Sequence, residues 1–149
     1  MLHMPHWDNR FLDLAEYIGT WSKDPSTKVG AVIVRPDKTI ASVGYNGFPR
    51  GVTDVYASRD DKLMRTVHAE MNAILSAREP LHGYTLYVSP LFPCSNCAAA
   101  IIQSGIKVVV ARMEQVRPEW ARSFEVAKDM FLDAGVTMMP VFLRDEEVT

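Results

Sequence analysis

Apolar side chains recur at helical spacing near the beginning of the chain, and this pattern predicts an amphipathic helix from about residue 8 to residue 22. Its apolar positions are Trp7, Phe11, Leu14, Ala15, Ile18 and Trp21. Asp8 is placed to cap the helix, and Asp24-Pro25 ends it, because the residue before a proline disfavours helical backbone. We expect the aromatic stripe to pack in the core or against another subunit.

Two runs rich in β-branched residues follow, at 29–34 and 39–45, separated by Arg35-Pro36-Asp37-Lys38. Proline and aspartate in the connection are typical of a tight turn, so the pattern predicts a β-hairpin. The segment 46–64 has glycine, proline and many charges but no periodicity. We interpret it as a long functional loop, because long irregular connections in compact domains are usually functional or disordered.

The rest of the chain alternates predicted helices and strands. Helices are predicted at 68–78, 94–104 and from Pro118 to Ala134-Gly135, and strands at 84–89, 107–112 and 136–143. Gly105 stands where a helix C-terminus is expected. The run at 107–112 is nearly all valine, which fits a sheet covered on both faces. The order predicts an α/β fold with three layers and a sheet of about five strands. The repeated strand–helix crossover also predicts that the N-termini of two helices lie side by side at one edge of the sheet.

Composition limits the kind of protein this is. With 149 residues, 48% of them hydrophobic and 23% charged, we expect a single globular domain over 1–149. The formal net charge of -2 provides no general basic surface, so nucleic acid is not the expected partner. The first residues do not resemble a signal peptide, and no run is long enough for a membrane span. We expect a cytoplasmic protein, because a reducing compartment suits its two cysteines.

Two short segments, His68-Ala69-Glu70 and Pro93-Cys94-Ser95-Asn96-Cys97, carry the candidate chemistry. One histidine and two cysteines are a ligand set for catalytic zinc, which keeps its fourth position open for water. A helix N-terminus favours the thiolate form of cysteines placed there. Glu70 lies two residues after His68, where its carboxylate can reach a metal-bound water and transfer protons.

Four other interpretations of these residues stay open. The C-x-x-C pair could be a redox pair, the histidine a core residue, and Glu70 an ordinary first-turn acidic residue. A structural zinc site would need a fourth protein ligand. His3, His6 and His82 are available, but none has a ligand-like spacing to the motif.

The H-x-E and P-C-x-x-C pair resembles the signature of the zinc-dependent nucleoside and nucleotide deaminases. The resemblance extends through TKVGAVIV at 27–34, GYNGFPRG at 44–51, HAEMNAIL at 68–75, LFPCSNCAAAIIQSGIK at 91–107 and AGV at 134–136. Together these blocks resemble the deoxycytidylate deaminase branch. The resemblance implies a three-layer α/β/α cytidine deaminase-like fold with a mixed sheet, one Zn²⁺ per subunit on His68, Cys94 and Cys97, and Glu70 as the catalytic acid and base.

The resemblance also implies a substrate and its contacts. The expected reaction converts dCMP to dUMP and ammonia for thymidylate synthesis. Asn46 would bind the deoxyribose 3′-hydroxyl, and the Ala69 amide would bind the cytosine carbonyl. A phosphate needs cations, for which Lys28 and Arg50 are the candidates. Asn46 could equally be a turn residue, and the two cations solvated surface charges.

One departure from the family leaves the substrate open. Family members commonly have an acidic and aromatic stretch with a tyrosine after the strand that ends near Arg112, whereas this chain has MEQVRPEWARSF. The alternatives are deamination of cytidine, guanine, adenosine or a riboflavin precursor, or a non-catalytic nucleotide sensor. Glu70 argues against a sensor.

The sequence also gives expectations for nucleotide effectors and for oligomeric assembly. By resemblance, dCTP with Mg²⁺ would activate the enzyme and dTTP would inhibit it. Three tryptophans, Trp7, Trp21 and Trp120, are more large apolar surface than a chain of this size easily buries, which predicts a homo-oligomer. The family resemblance implies a hexamer.

Overall fold

The computed structural model describes residues 5–114 and 116–142. The helices are α1 (Pro5–Gly19), α2 (Arg59–Arg65), α3 (Ala69–Ser76), α4 (Ser95–Gln103) and α5 (Ala121–Ala134), with a 3₁₀ turn at Pro118–Trp120 before α5. The strands are β1 (Gly30–Val34), β2 (Ile40–Tyr45), β3 (Thr85–Ser89), β4 (Val108–Met113) and β5 (Thr137–Phe142). None of the helices in these residues combines the length and apolar character needed to cross a membrane.

The five strands form one mixed sheet in the order β2-β1-β3-β4-β5. β1 pairs antiparallel with β2 and with β3, whereas β3, β4 and β5 are parallel. The predicted hairpin is therefore confirmed, with Lys38 at a positive φ of 74° in its turn. The two parallel pairs need crossovers, which α4 and α5 provide.

The sheet is covered on both faces, as predicted. α1 covers one face, where Leu12 and Ala15 pack with Val32, Tyr87 and Val110. α3, α4 and α5 cover the other face. Buried residues on that side include Ala73, Ile101, Phe131, Leu86 and Val109. The α/β/α class is thus confirmed.

The first helix differs in detail from the prediction. It begins at Pro5 and ends at Gly19, so Asp8 lies inside the helix and the predicted cap is wrong. Asp8 is buried and accepts a hydrogen bond of 2.7 Å from the Tyr87 hydroxyl. Trp21 lies beyond the helix and is 51% exposed.

The predicted loop 46–64 contains the start of a helix, α2, so a wholly irregular segment was the wrong prediction. The Ser58 hydroxyl accepts from the Asp61 amide at 3.1 Å and caps α2, and Asp61 pairs with Arg65 one turn later. Its one buried side chain is the charged Lys62. A helix held by a cap and ion pairs has no apolar periodicity, and for that reason the hydrophobic pattern missed it.

Two predicted features lie outside the described residues. These are Leu143, predicted as the end of the last strand, and the acidic segment 144–149, predicted to be solvated.

Candidate active site

Two helix N-termini meet at one edge of the sheet. His68 is the N-cap residue of α3 and Cys94 is the N-cap residue of α4. α3 packs against β2 and β1 and contacts α4. The chain therefore brings residues 26 positions apart into contact, as the alternation of strands and helices predicted.

The side chains at this junction form a cluster of possible metal ligands. The Nδ1 atom of His68 lies 3.4 Å from Cys94 Sγ and 3.4 Å from Cys97 Sγ. The ligand atoms of these three side chains all lie within 4.8 Å of one another. In the described part of the chain, this is the group of His, Cys, Asp or Glu side chains that could share a metal ion. The cluster thus has three members, and Glu70 is not one of them.

The three donors fit a tetrahedral zinc ion. Zinc–sulfur bonds of about 2.3 Å and zinc–nitrogen bonds of about 2.0 Å at tetrahedral angles separate nitrogen from sulfur by about 3.5 Å. The two distances of 3.4 Å lie close to this value. Nitrogen and thiolate donors also suit zinc better than calcium or magnesium, which prefer oxygen.

The ionisable groups of the cluster are strongly coupled. A hydrogen bond from Cys97 lowers the pKa of Cys94 to about 4, and the same bond together with burial raises the pKa of Cys97. The Cys94 thiolate in turn raises the pKa of His68 to about 9. A thiolate is thus favoured at Cys94 before any metal binds.

Glu70 lies in the first turn of α3 and is only 4% exposed. Burial raises the pKa of this carboxyl to about 7, although the nearby His68 charge opposes the shift. A carboxyl with a pKa near neutrality can both accept and release a proton at physiological pH, which general acid–base catalysis requires.

A cavity of about 180 Å³ opens onto His68, Glu70 and Cys94. An apolar cavity of about 150 Å³ holds a benzene molecule, so this volume accommodates one six-membered ring. Its apolar lining consists of Val29, Leu63, Ala69, Leu91, Phe92, Trp120 and Phe124. The arrangement suits a planar ring placed beside a metal and a buried carboxyl.

Asn46 and Ala69, the expected substrate contacts, both line this cavity. The Asn46 side chain accepts from the Val29 amide at 2.9 Å and donates to the Thr27 carbonyl at 2.9 Å. It therefore fixes the cavity wall 27–29 in addition to facing the cavity. Ala69 is the first residue of α3, so its N–H has no acceptor within the helix and is available to a ligand.

The structure does not bring Lys28 and Arg50 into the lining of this cavity. Lys28 donates from Nζ to the Ser22 carbonyl and lines a neighbouring cleft that shares Thr27 and Trp120 with the cavity. Arg50 is exposed and absent from the lining of both.

Sequence reasoning missed two cations that do line the cavity, Arg59 and Lys62. Lys62 Nζ lies 3.0 Å from Asp24 Oδ1 and 3.1 Å from Ser26 Oγ. Burial acts to raise the pKa of Asp24, but the Ser26 and Thr27 amides and Lys62 outweigh it and lower the pKa. The cap pattern S-x-x-D at 58–61 could have indicated the start of the helix that carries both cations, but nothing local indicates that Lys62 is buried.

The segment in which the resemblance implied a tyrosine supplies Trp120, Ser123 and Phe124 to the cavity. Trp120 stacks edge-on against Phe124, with ring centroids 6.5 Å apart. The indole of Trp120 is half-buried at the cavity wall. An aromatic side chain is therefore present here although the tyrosine is missing.

Comparison with known proteins shows which protein family the chain belongs to. Residues 5–113 match the cytidine and deoxycytidylate deaminase zinc-binding region. The chain belongs to this family of deaminases, as the sequence motifs predicted.

Relatives and solved structures narrow the comparison to one branch. Deoxycytidylate deaminase of Mus musculus is 36% identical over 140 residues, which cover 88% of this chain and 77% of the mouse protein. A protein of Aliivibrio fischeri described as an uncharacterized deaminase in the luxG 3′ region is 47% identical over 141 residues, 91% of this chain and 95% of that one. The dCMP deaminase of cyanophage S-TIM5, solved in complex with dCMP and dUMP, superposes with a TM-score of 0.78 at 27% identity, covering 94% of this chain and 100% of that one. The predicted deoxycytidylate deaminase branch is thereby confirmed.

Proposed function

We propose that this protein is a zinc-dependent dCMP deaminase that hydrolyses dCMP to dUMP and ammonia. The observation that carries the proposal is a three-donor nitrogen and sulfur cluster beside a buried carboxyl, at the end of a cavity with room for one pyrimidine ring. The likeness to deoxycytidylate deaminases supports the choice of substrate.

The proposed chemistry uses His68, Cys94 and Cys97 to hold one zinc ion per chain. Zinc in such a site lowers the pKa of a bound water to about 7 and so supplies the nucleophile at neutral pH. Glu70 would accept one proton of the attacking water and deliver it to N3 of the cytosine, which keeps it. Glu70 would then carry the second proton, from the hydroxyl that the water leaves on C4, to the departing amine. The C4–N bond breaks, C4 takes its oxygen from water, and ammonia leaves.

The remaining residues bind and orient the nucleotide. The Ala69 amide donates to the cytosine carbonyl oxygen, and Asn46 binds the deoxyribose 3′-hydroxyl. Phe92 and Phe124 keep water away from the ring. Lys28 and Arg50 stay proposed phosphate contacts, and Arg59 joins them because it lines the cavity and is exposed.

A substrate panel tests this proposal. The zinc-loaded protein is incubated with cytosine, cytidine, dCMP, CMP, guanine, adenosine and a diaminopyrimidine riboflavin precursor, and ammonia is measured. We expect dCMP to have the highest kcat/KM and cytidine to be a poor substrate, since it lacks the phosphate. A higher kcat/KM with a base or nucleoside would contradict the choice of dCMP.

A second cavity supports the proposed regulation by dCTP with Mg²⁺ and by dTTP. This cavity has a volume of about 460 Å³ and carries Trp21, Tyr45, Phe48 and Tyr56 in its lining. It shares Asp24, Asn46, Lys62 and Thr66 with the catalytic cavity. Repeating the panel with and without dCTP and Mg²⁺ tests the effect: activation by dCTP and inhibition by dTTP are expected, and unchanged rates would contradict it.

We also propose that the protein acts as a cytoplasmic homohexamer of single-domain chains. Tyr17 and Trp21 are more than half exposed and stack edge-on 5.9 Å apart, which leaves aromatic surface for another subunit. Sedimentation analysis would give the mass of six chains, and a monomer mass at micromolar concentration would contradict assembly.

A further inference from the structure

The N-terminal turn of α4 is tied to α5 by a pair of serines. The Ser123 hydroxyl oxygen of α5 accepts a hydrogen bond of 2.9 Å from the Ser95 amide, and it lies 3.2 Å from Ser95 Oγ, to which it donates. Ser95 is the first residue of α4 and stands between the two cysteines. The contact therefore joins α5 to the turn that carries both thiolate ligands.

The first amides of a helix have no acceptor inside the helix, so other groups must satisfy them. At α4, Cys94 Sγ accepts from the Cys97 amide at 3.5 Å, and Ser123 accepts from the Ser95 amide. The second contact fixes the backbone of the turn from outside, whereas the first depends on the sulfur that must bind the metal. Ser123 is thus the external contact that sets the orientation of this turn.

α5 is packed tightly against the segment before Cys94, so a side chain of α5 can fix the position of that turn. The ring centroid of Phe92, two residues before Cys94, lies 6.4 Å from that of Phe124 and 5.8 Å from that of Phe131, both nearly perpendicular. Phe92, Phe124 and Phe131 are all at most 6% exposed. Ser123 therefore projects from a helix that is already packed beneath the cysteine segment.

We propose that Ser123 is a positioning residue for the metal site: its hydroxyl holds the Ser95 amide and thereby fixes Cys94 and Cys97 in the geometry that binds zinc. This inference rests on the zinc site of the proposed function. Groups that orient metal ligands typically contribute a factor of about 10 to 100 in metal affinity.

Two substitutions remove the contact from opposite sides. Ser123→Ala removes the acceptor. Ser95→Pro removes the donor at a position where the backbone accepts proline, because proline is favoured at the first helical position and Cys94 has φ -71° and ψ 172°, which precede proline readily. Its ring takes the place of the amide hydrogen, so the Ser123 hydroxyl must also turn away. Ser95→Ala keeps the amide and loses only the weaker hydroxyl contact. Ser123→Thr restores the hydroxyl.

The measurement is zinc affinity, determined by competition with a chromophoric chelator for the full chain and each variant. We expect Ser123→Ala and Ser95→Pro each to weaken zinc binding by about 10-fold to 100-fold, with the double variant no weaker than either single variant, since both remove one contact. Ser95→Ala and Ser123→Thr should bind zinc within about threefold of the unmodified chain.

A matched control separates positioning from general stability. Ser104→Ala removes a hydroxyl that donates to the Ile101 carbonyl at 2.6 Å, at the other end of α4. It should lower the melting temperature of the metal-free protein as much as Ser123→Ala does, but leave zinc affinity unchanged. Equal zinc affinity in Ser123→Ala and the unmodified chain, or fully additive effects of Ser123→Ala and Ser95→Pro, would overturn the inference. Absence of zinc binding by the unmodified chain would instead overturn the proposed function.

Discussion

Glu70 lies beside the cluster of donors but is not one of its members, so metal binding and the proposed proton transfer can be tested separately. Glu70→Gln keeps the shape of the side chain and removes the ability to transfer a proton. We expect this variant to retain one zinc per chain and to lose activity by a factor of at least about 100, in the range general acid–base catalysis contributes. Zinc content and ammonia release from dCMP are the two measurements. Near-normal turnover would show that another group transfers the proton.

Lys62 is a buried cation whose partners hold the cavity wall. Its side chain is 6% exposed and that of Asp24 is 10% exposed. Lys62→Met leaves the Asp24 carboxylate buried without its cation, so we expect a loss of about 3 kcal/mol in the free energy of unfolding. Urea denaturation measures it, with the exposed Lys107→Met as control. Equal stability of the two variants would show that the ion pair contributes little.

At the scale of single residues, the sequence predicted the cluster of His68, Cys94 and Cys97 but not the cations that line the cavity. His68, Cys94 and Cys97 could be recognised because metal ligands of defined type at defined spacing leave a clear pattern. Lys62 could not be recognised, because its partner Asp24 lies 38 positions away and nothing local distinguishes a buried lysine from a solvated one.

The position of α3 on the sheet depends on a glycine in β2. A Cβ atom at Gly44 would lie 2.5 Å from the Ala69 carbonyl oxygen and 2.5 Å from the Ala73 amide nitrogen, both backbone atoms that cannot rotate away. Gly44→Ala must therefore displace α3, which carries Glu70 and follows His68. We expect it to cost about 1–3 kcal/mol in unfolding free energy and to lower turnover.

Gly47→Ala is the matched control for this change, because a Cβ atom at Gly47 would have no neighbour within 4 Å. Thermal denaturation and ammonia release compare the two variants. If both kept the stability and turnover of the unmodified chain, the close approach of α3 to β2 would be unnecessary.

An ion pair ties the hairpin to the connection after α3. Glu79 pairs with Arg35 and accepts a hydrogen bond from the Tyr84 hydroxyl at 2.6 Å. The hydrogen bond from Arg35 lowers the pKa of Glu79 to about 2 from 4.5. The nearby Asp37 carboxylate acts in the opposite direction and raises the pKa of Glu79. A lowered folded-state pKa stabilises the fold above pH 4.5, and this contribution is lost as the pH falls from 4.5 towards 2.

Glu79→Gln removes that titration. We expect its free energy of unfolding to fall less steeply with acidification over this range, by up to about one proton in slope. Urea denaturation at a series of pH values compares the variant with the unmodified chain. Parallel pH profiles would contradict the assignment.

Among the elements, hydrophobic periodicity predicted the helices and strands that have a regular set of apolar residues. It missed α2, which has none. β1, β4 and α5 each bury a regular set of residues, so sequence periodicity predicts them. In α2 the Ser58 cap and the Asp61–Arg65 ion pair are local, whereas the buried contact of Lys62 with Asp24 follows from the folded arrangement of the chain.

At the scale of the whole molecule, the alternation of elements sufficed to predict the α/β/α layers and the meeting of two helix N-termini. The strand order was not predicted, because pairing between β1 and β3 joins segments separated by the whole of α2 and α3. The contact between Ser123 and the cysteine turn is likewise a product of α5 packing on α4, which no local pattern encodes.

The most direct test of the central claim is the rate of dUMP formation from dCMP as zinc is added back to metal-free protein. The account predicts that the rate rises in proportion to bound zinc and stops rising at one zinc per chain. A metal-free protein with full turnover, or a protein with one zinc per chain that forms no dUMP, would contradict it.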